Sequence, residues 1–448
     1  MAVAAPARPL LRTRWVVAAC ALLALALRAP FFSVALGRDE GGIAFIARQW
    51  PGGHGSLYGA HWLDRPPLLV ALYKLAGWGG DFGVRALGAV AAVALVLAVW
   101  RLGRAVAGEE AGRVAAVMAA LLTGSFAIGA VQTPAELLAA VPSTLSVLCL
   151  VRGRLFAAGL LAAGALLVKQ SFLDAGVAGL AFLLLSRRPR WWLEYAAGVA
   201  LPVAVLAAWN GSGFAYALVG FRLQALGTLA ASSLPLQDRL GQLAAPALGS
   251  GLVVAVPAAL AGIARARNRV LAAWLAGALI GVLGGGSYWP HYLIELVPVT
   301  CVGVALLRPP RVLLAAFAAI SVAATLGGIG YDQAHPPYRS TRAVARYVRT
   351  HARPGDTQYV LYARANLLHY AGLPSPYPYH WSLMVRAKPG AIPRLRRLLG
   401  SPERPTWVVE WQPPDQWGLD PHGATARLLT RHYRRAATVH GHPVLHAR

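Results

Sequence analysis

Eleven long apolar blocks constrain the fold of this chain more than any other feature. They occupy residues 15–36, 82–100, 114–131, 134–151, 155–168, 174–186, 192–209, 246–264, 270–284, 291–307 and 312–328. Hydrophobic residues make up 57% of the chain and charged residues only 13%, which is too little charge to cover a soluble surface. The blocks therefore predict a mainly α-helical, polytopic membrane protein with about eleven transmembrane helices.

The loops between these blocks alternate between basic and non-basic. The basic set carries Arg8, Arg12, Arg14, Arg101, Arg104, Arg113, Arg152, Arg154, Arg187, Arg188, Arg190, Arg265, Arg267, Arg269, Arg308 and Arg311. The opposite set includes 132–133 and 285–290, which hold no Lys or Arg. Because cytoplasmic loops are enriched in Lys and Arg, we expect a multi-pass plasma-membrane protein with a cytoplasmic N-terminus. The odd number of blocks then predicts that the tail lies outside.

The first block follows three arginines, as a signal peptide would, but no convincing cleavage site follows it, so we interpret it as a retained span. The net charge of +25 raises the question of nucleic-acid binding. The basic residues orient the spans, however, and no basic stripe interleaved with aromatics is present, so no nucleic-acid partner is expected. The three cysteines lie within apolar blocks and imply no disulfide framework.

The composition divides the chain into a transmembrane module at 1–330 and an extracytoplasmic α/β domain at 331–448. In the polar tail, periodicity predicts helices at 341–351, 391–399 and 422–433 and strands at 359–362, 407–409 and 436–440. The first external loop, 37–81, contains two amphipathic stretches, at 43–50 and 68–75, that are typical of interfacial helices. The second external loop, 210–245, has only weak periodicity.

The sharpest candidate site begins the first external loop, where Arg38, Asp39 and Glu40 follow the first span. A partly desolvated carboxylate at the membrane surface is suited to accept a proton from a hydroxyl nucleophile. The alternative is structural, since acids also cap the N-terminus of a following helix and complement its dipole. Spacing alone leaves both interpretations open.

Asp64 and Arg65 precede two prolines in the same loop. The prolines end any preceding helix and suit the start of the next one, which would hold both side chains rigidly at the surface. Arg65 could then bind a phosphate in a bidentate manner. The alternative is a proline-ordered turn in which Asp64 and Arg65 pair with each other.

Two further candidates lie at external ends of spans. Lys169 follows the fifth block, where a lysine is either functional or extends to the interface. His291 and Tyr292 open the tenth block and belong either to a site or to an aromatic interfacial belt. His54 and His61 match no metal signature, so a divalent metal is not required. Together, acids and cations on one face suit a lipid-phosphate substrate.

These motifs resemble those of glycosyltransferase family 39, whose members transfer sugars from polyprenyl or dolichyl phosphate and have the membrane GT-C fold. The resemblance rests on Arg38-Asp39-Glu40, on Ile46-Ala47-Arg48 and on Leu63-Asp64-Arg65-Pro66-Pro67-Leu68. It extends to 164–169, to His291-Tyr292 with Val297-Pro298, and to the soluble tail. Gly41 and Gly42 depart from the pattern, because the family tends to carry bulkier residues after Asp-Glu.

The resemblance implies an inverting, mannosyltransferase-like enzyme that uses a polyprenyl-phosphate sugar and no required cofactor. Asp39 matches the proposed base and Glu40 its neighbour, while Arg38 and Asp64 support the site. Arg65 corresponds to the residue that contacts the donor phosphate, and Lys169, His291 and Tyr292 are weaker candidates for it. The acceptor is an envelope glycan, lipid or protein, reached among membrane lipids.

Two other functions remain open at the level of sequence. A lipid or sugar transporter or flippase would place charges near the bilayer midplane, whereas these charges cluster at the ends of spans. A non-catalytic envelope-assembly protein would use its tail only to bind a partner. Loss of transfer on substitution of Asp39 separates both from the glycosyltransferase.

Overall fold

The computed structural model describes residues 8–50, 57–59, 62–230 and 236–448. Their α-helices are α1 (Arg8–Arg28), α2 (Arg38–Gln49), α3 (Pro67–Ala76), α4 (Gly80–Ala107), α5 (Glu109–Thr123), α6 (Ala135–Val151), α7 (Leu155–Val168), α8 (Asp174–Ser186), α9 (Pro189–Asn210), α10 (Ser212–Ala215), α11 (Phe221–Ala230), α12 (Leu236–Ser250), α13 (Leu252–Arg265), α14 (Arg269–Gly284), α15 (Val297–Leu306), α16 (Arg311–Ala334), α17 (Arg339–His351), α18 (Ala365–Ala371), α19 (Ser382–Ala387), α20 (Ala391–Gly400) and α21 (Ala424–His432). The strands are β1 (Gln358–Val360), β2 (Trp407–Val409), β3 (Tyr433–Val439) and β4 (His442–Ala447). A 3-10 helix, Pro290–Leu296, precedes α15.

The described residues divide into two compact units. The first contains residues of Met1–Ser33, Arg85–Val205 and Ser233–His335. The second contains Val34–Val84, Leu206–Ser232 and Pro336–Arg448. The tail thus groups with the whole first external loop, 37–81, and with part of the second, which composition alone did not indicate. The predicted boundary near residue 330 stays a prediction.

Every predicted apolar block contains helix, and the chain is a polytopic membrane protein. Among the described residues, four helical segments are long and apolar enough to cross a membrane: Thr13–Ser33, Pro67–Ala107, Pro189–Asn210 and Arg311–Ala334. A fifth results if Gln237–Ser250 and Leu252–Arg265, bent by 79°, form one span. Other blocks form apolar helices of 10–17 residues. The number of spans therefore stays a prediction.

Small residues allow the helices of the first unit to approach closely. An added Cβ at Gly159 in α7 would meet the backbone of Tyr195 in α9, and one at Gly198 in α9 would meet the backbone of Phe156. Gly262 in α13 faces the backbone of Gly303 in α15 in the same way. Close backbone approach of this kind is a main source of packing energy between apolar helices, because lipid offers no hydrophobic drive for their association.

The tail folds into the predicted α/β arrangement. Its sheet has the order β1-β2-β4-β3, with β1 and β2 parallel and the other neighbours antiparallel. The predicted helices correspond to α17, α20 and α21, and the predicted strands to β1, β2 and β3. The prediction missed α18, α19 and β4. The β3–β4 hairpin turns at His440 and Gly441, both with positive φ, which matches strand twist in a two-residue loop.

Helix α2 is buried on more sides than an interfacial helix would be. Every residue from Glu40 to Ala47 is buried. The reason is that α18 packs on α2, so that an added Cβ at Gly41 would lie 2.6 Å from Cβ of Asn366. One at Gly42 would lie 2.6 Å from Cβ of Ala365. The two glycines that depart from the family pattern therefore make room for the tail.

Candidate active site

The two acids at the start of α2 have different surroundings. Arg38 is exposed, Asp39 is partly exposed and Glu40 is buried. Glu40 Oε2 accepts a hydrogen bond of 2.8 Å from the backbone N–H of Gly37, so it caps the helix. Glu40 therefore has the helix-capping role that the sequence left open for these acids. Asp39 keeps the exposure that a proton acceptor needs. The catalytic role of either acid stays a prediction.

Trp381 holds one oxygen of Asp39. Its indole Nε1–H donates a hydrogen bond of 2.9 Å to Asp39 Oδ1. Trp381 immediately precedes α19 and belongs to the same unit as α2. Sequence reasoning missed this residue, because the two positions are 342 residues apart and no local pattern connects them.

Asp64 lies between two guanidinium groups. Its Oδ1 is 2.9 Å from Nη1 of Arg65, and its Oδ2 is 2.8 Å from Nη2 of Arg222. Burial raises the pKa of this carboxyl, but Arg222 and Arg65 outweigh burial and hold the pKa below its ordinary value. Asp64 therefore carries a negative charge at neutral pH, and the group of three carries one net positive charge.

This arrangement includes the self-paired Asp64 and Arg65 that the sequence left open. It adds Arg222 of α11, which sequence reasoning missed because the second loop shows so little periodicity. Two arginines fixed by one buried carboxylate present their remaining N–H groups in a defined geometry, which suits a phosphate. The phosphate-binding role of Arg65 stays a prediction.

Lys388 lies in an aromatic cage in the same unit. Its Nζ is 4.4 Å from the ring centre of Trp62, 4.2 Å from that of Tyr216 and 5.7 Å from that of Tyr379. These distances are typical of cation–π interactions. Burial, with a further contribution from Arg394, lowers the pKa of the Lys388 ammonium. The cage joins three separate segments of the unit: both external loops and the tail.

The first unit brings three other predicted residues together. Lys169, which follows α7, forms a buried ion pair with Glu136 in the first turn of α6. His291 Nε2 is 3.5 Å from Oε1 of the same glutamate, and Lys169 Nζ is 3.9 Å from the ring centre of Tyr292. Lys169 does not extend to an exposed surface, because its side chain is only 7% exposed. Sequence reasoning missed Glu136.

The candidate residues are thus distributed over both units. Asp39, Glu40, Asp64 and Arg65 belong to the second unit, whereas Lys169, His291 and Tyr292 belong to the first. Their convergence on one cavity stays a prediction. His54 and His61, considered above as metal ligands, lie outside the described residues.

Comparison with known proteins provides independent information. Residues 64–210 match the family model described as dolichyl-phosphate-mannose-protein mannosyltransferase. The structure of ArnT from Cupriavidus metallidurans bound to undecaprenyl phosphate is similar over 97% of this chain and 98% of that one, with a TM-score of 0.66 and 14% identity. The structure of the same ArnT in the apo state matches over the same shares of the two chains, with 16% identity and the same TM-score. The resemblance to glycosyltransferase family 39 is confirmed.

The GT-C membrane fold extends to a more distant protein. Archaeal oligosaccharyltransferase AglB from Archaeoglobus fulgidus, in complex with an inhibitory peptide and a dolichol-phosphate, is 12% identical with a TM-score of 0.55. That similarity covers 89% of this chain and 69% of AglB. No curated relative matches the chain. At these identities the structural likeness establishes the fold, and activity is a separate question.

Proposed function

We propose that this protein is an inverting membrane glycosyltransferase that moves a monosaccharide from a polyprenyl phosphate to an acceptor hydroxyl. Asp39 accepts the hydroxyl proton while the acceptor oxygen attacks the anomeric carbon. The bond from that carbon to the phosphate oxygen breaks, and polyprenyl phosphate leaves with the bonding electrons. Arg65 and Arg222 stabilise the charge that develops on the leaving phosphate.

The observation that carries this proposal is the pairing of two chemistries within one unit. Asp39 is a partly exposed carboxylate at the start of a helix, and Asp64 fixes two arginines with one net positive charge. A transferase of this type needs a base for the nucleophile and cations for the leaving group. Lys169, His291 and Tyr292 are second candidates for the phosphate, although Glu136 already balances the charge of Lys169.

The comparisons support the choice of donor. ArnT was solved with undecaprenyl phosphate and AglB with a dolichol-phosphate, and both share the fold of this chain. The description of the matching family model makes mannose the first sugar to test. The acceptor is an envelope glycan, lipid or protein.

The proposal includes an orientation. Because the basic loops alternate along the chain, we place the N-terminus in the cytoplasm and residues 331–448, with Asp39, outside the plasma membrane. Fusions of a phosphatase that is active only outside the cytoplasm test this placement. A fusion after residue 330 should be active, whereas a fusion in the 265–269 loop should be inactive. The reverse pattern would invert the topology and place Asp39 inside.

The decisive experiment compares a strain that lacks the gene with strains complemented by the wild type or by Asp39→Asn. Mass spectrometry of envelope glycolipids, glycans and glycoproteins should show one monosaccharide lost on deletion and restored only by the wild type. Asp39→Asn keeps the shape of the side chain but cannot accept a proton, so the variant should insert and accumulate normally. Normal transfer by this variant would refute the assignment of the base.

A second arm tests the phosphate site with undecaprenyl phosphate itself as the probe. Native mass spectrometry of the purified full-length protein should show weaker binding to Arg222→Ala than to wild type. Arg239→Ala is the matched control, because Arg239 contacts Gly286 and Tyr288 and belongs to the other unit. Movement of the lipid across vesicles without any sugar transfer would favour a transporter instead.

A further inference from the structure

The tail supplies the hydrogen-bond partner of the proposed base. Trp381 Nε1–H donates to Asp39 Oδ1 over 2.9 Å, and both side chains are partly exposed. A hydrogen bond to a carboxylate is stronger than one between neutral groups and fixes the plane of the acid. It leaves Oδ2 as the oxygen that can turn toward an incoming hydroxyl.

Close packing against α2 fixes the position of the indole. Gly42 lies three residues after Asp39, on the same face of the helix. A Cβ added to Gly42 would be 2.5 Å from Cζ2 of Trp381. The ring therefore rests directly on the helix backbone. Any side chain at position 42 would push the indole away from Asp39.

The neighbouring helix α18 attaches the tail to the start of α2. Asn366 Nδ2–H donates to the carbonyl of Leu36 over 3.2 Å, and the Tyr370 hydroxyl accepts from the Leu36 N–H over 2.5 Å. That hydroxyl donates in turn to Asp81 Oδ2 over 3.0 Å, and His369 Nε2 lies 2.7 Å from Asp81 Oδ1. The contact between Trp381 and Asp39 is thus one of several contacts that join the tail to the segment Val34–Val84 within the second unit.

We infer that Trp381 is the positioning residue of the proposed base: it holds the Asp39 carboxylate oriented for the acceptor hydroxyl. The inference rests on the proposed function. It assigns to the tail a direct part in the reaction, because the group that orients the base comes from the tail and not from the membrane helices.

Ionisable groups also lie around this end of α2. They include Arg38 and Glu40 on α2 itself, Tyr338 ahead of α17 and Arg364 ahead of α18. From α3, Lys74 reaches the far end of α2, where it donates to the carbonyls of Ala47 and Trp50. None of these groups changes when Trp381 is replaced, so a difference in kcat reports the lost N–H group.

The test is Trp381→Phe, which keeps an aromatic ring against Gly42 but removes the donor. Because the base acts in the chemical step, the loss of its orientation should lower kcat and leave unchanged the amount of membranes that gives half the maximal rate. The maximal rate should fall roughly tenfold, since the carboxylate is no longer oriented.

The assay adds purified full-length protein to membranes from the deletion strain, which supply donor and acceptor. Initial rates are measured at increasing amounts of these membranes, which separates kcat from KM. Trp407→Phe is the matched control, because Trp407 donates an equivalent bond of 2.9 Å to Asp356 within the sheet region. Its kcat should equal that of the wild type. Unfolding midpoints of both variants show how much of any rate change reflects stability.

The outcomes separate the two proposals. If the wild type transfers sugar and Asp39→Asn does not, but Trp381→Phe has the wild-type kcat, the inference about Trp381 is wrong and the proposed function stands. If the rate of Trp381→Phe falls only in proportion to the amount of folded protein, kcat per folded molecule is unchanged, and this too refutes the inference. If the wild type transfers nothing, the proposed function itself fails.

Discussion

Gly42 gives the most specific prediction about how the tail and α2 fit together. In Gly42→Ala, the new Cβ would lie 2.5 Å from Cζ2 of Trp381 and 2.6 Å from Cβ of Ala365. Carbon atoms in contact are normally about 3.5–4.0 Å apart, so these neighbours must retreat by about 1 Å. Overpacking of this kind lowers the free energy of unfolding by about 1–3 kcal/mol. Replacing a helical glycine by alanine raises it by up to about 1 kcal/mol, because alanine has the higher helix propensity.

The expected balance is a net loss of about 1–2 kcal/mol of unfolding free energy. The same displacement lengthens the 2.9 Å bond from Trp381 to Asp39 beyond hydrogen-bonding range, so transfer should fall roughly ten- to a hundredfold. Both quantities are measurable on purified protein in detergent, the first as the midpoint of thermal unfolding and the second with membranes from the deletion strain.

Gly227 in α11 is the matched control, because an added Cβ there meets nothing within 4 Å. Gly227→Ala should therefore be as stable as the wild type or slightly more stable, with unchanged transfer. If Gly42→Ala behaves like Gly227→Ala in both measurements, the close packing of Trp381 on α2 is not what fixes the base, and the explanation of this glycine is wrong.

Two other predictions concern buried charges. Glu136→Gln leaves the buried Lys169 ammonium without its partner carboxylate, so the free energy of unfolding should fall by about 3–5 kcal/mol. The midpoint of thermal unfolding should fall with it, and a second substitution, Lys169→Met, should largely restore that midpoint. Lys388→Met removes the cation from the rings of Trp62 and Tyr216 and should lower the free energy of unfolding by about 0.5–2 kcal/mol. Lys388→Arg keeps a cation and should lower it less. Equal unfolding midpoints for the wild type and both variants would contradict a stabilising role of the cage.

Local patterns were sufficient to predict most of the fold. The apolar blocks contain helices, and in the tail three helices and three strands follow from periodicity. The missed helix α18 has only seven residues and begins after Arg364, whose positive φ gives no sequence signal. The predicted block 246–264 hides a sharp bend at Gly251, where φ is also positive. Short elements and left-handed turns depend on tertiary contacts that periodicity does not contain.

The same reasoning explains the candidate site. Asp39, Asp64 and Arg65 were predictable because each lies in a short motif with local chemical sense. Arg222 and Trp381 act through partners far away along the chain, so no spacing rule identifies them. Local patterns can thus indicate candidate acids and cations while leaving out the distant residues that contact them.

The grouping of α2 with the tail also means that α2 gains its packing partner late in synthesis. Asp39 is synthesised 342 residues before Trp381, so its helix enters the membrane system long before its packing partner exists. A chain still on the ribosome therefore holds the carboxylate without its indole partner. Under the proposed function, a chain that terminates before residue 381 should insert its membrane helices and yet transfer no sugar.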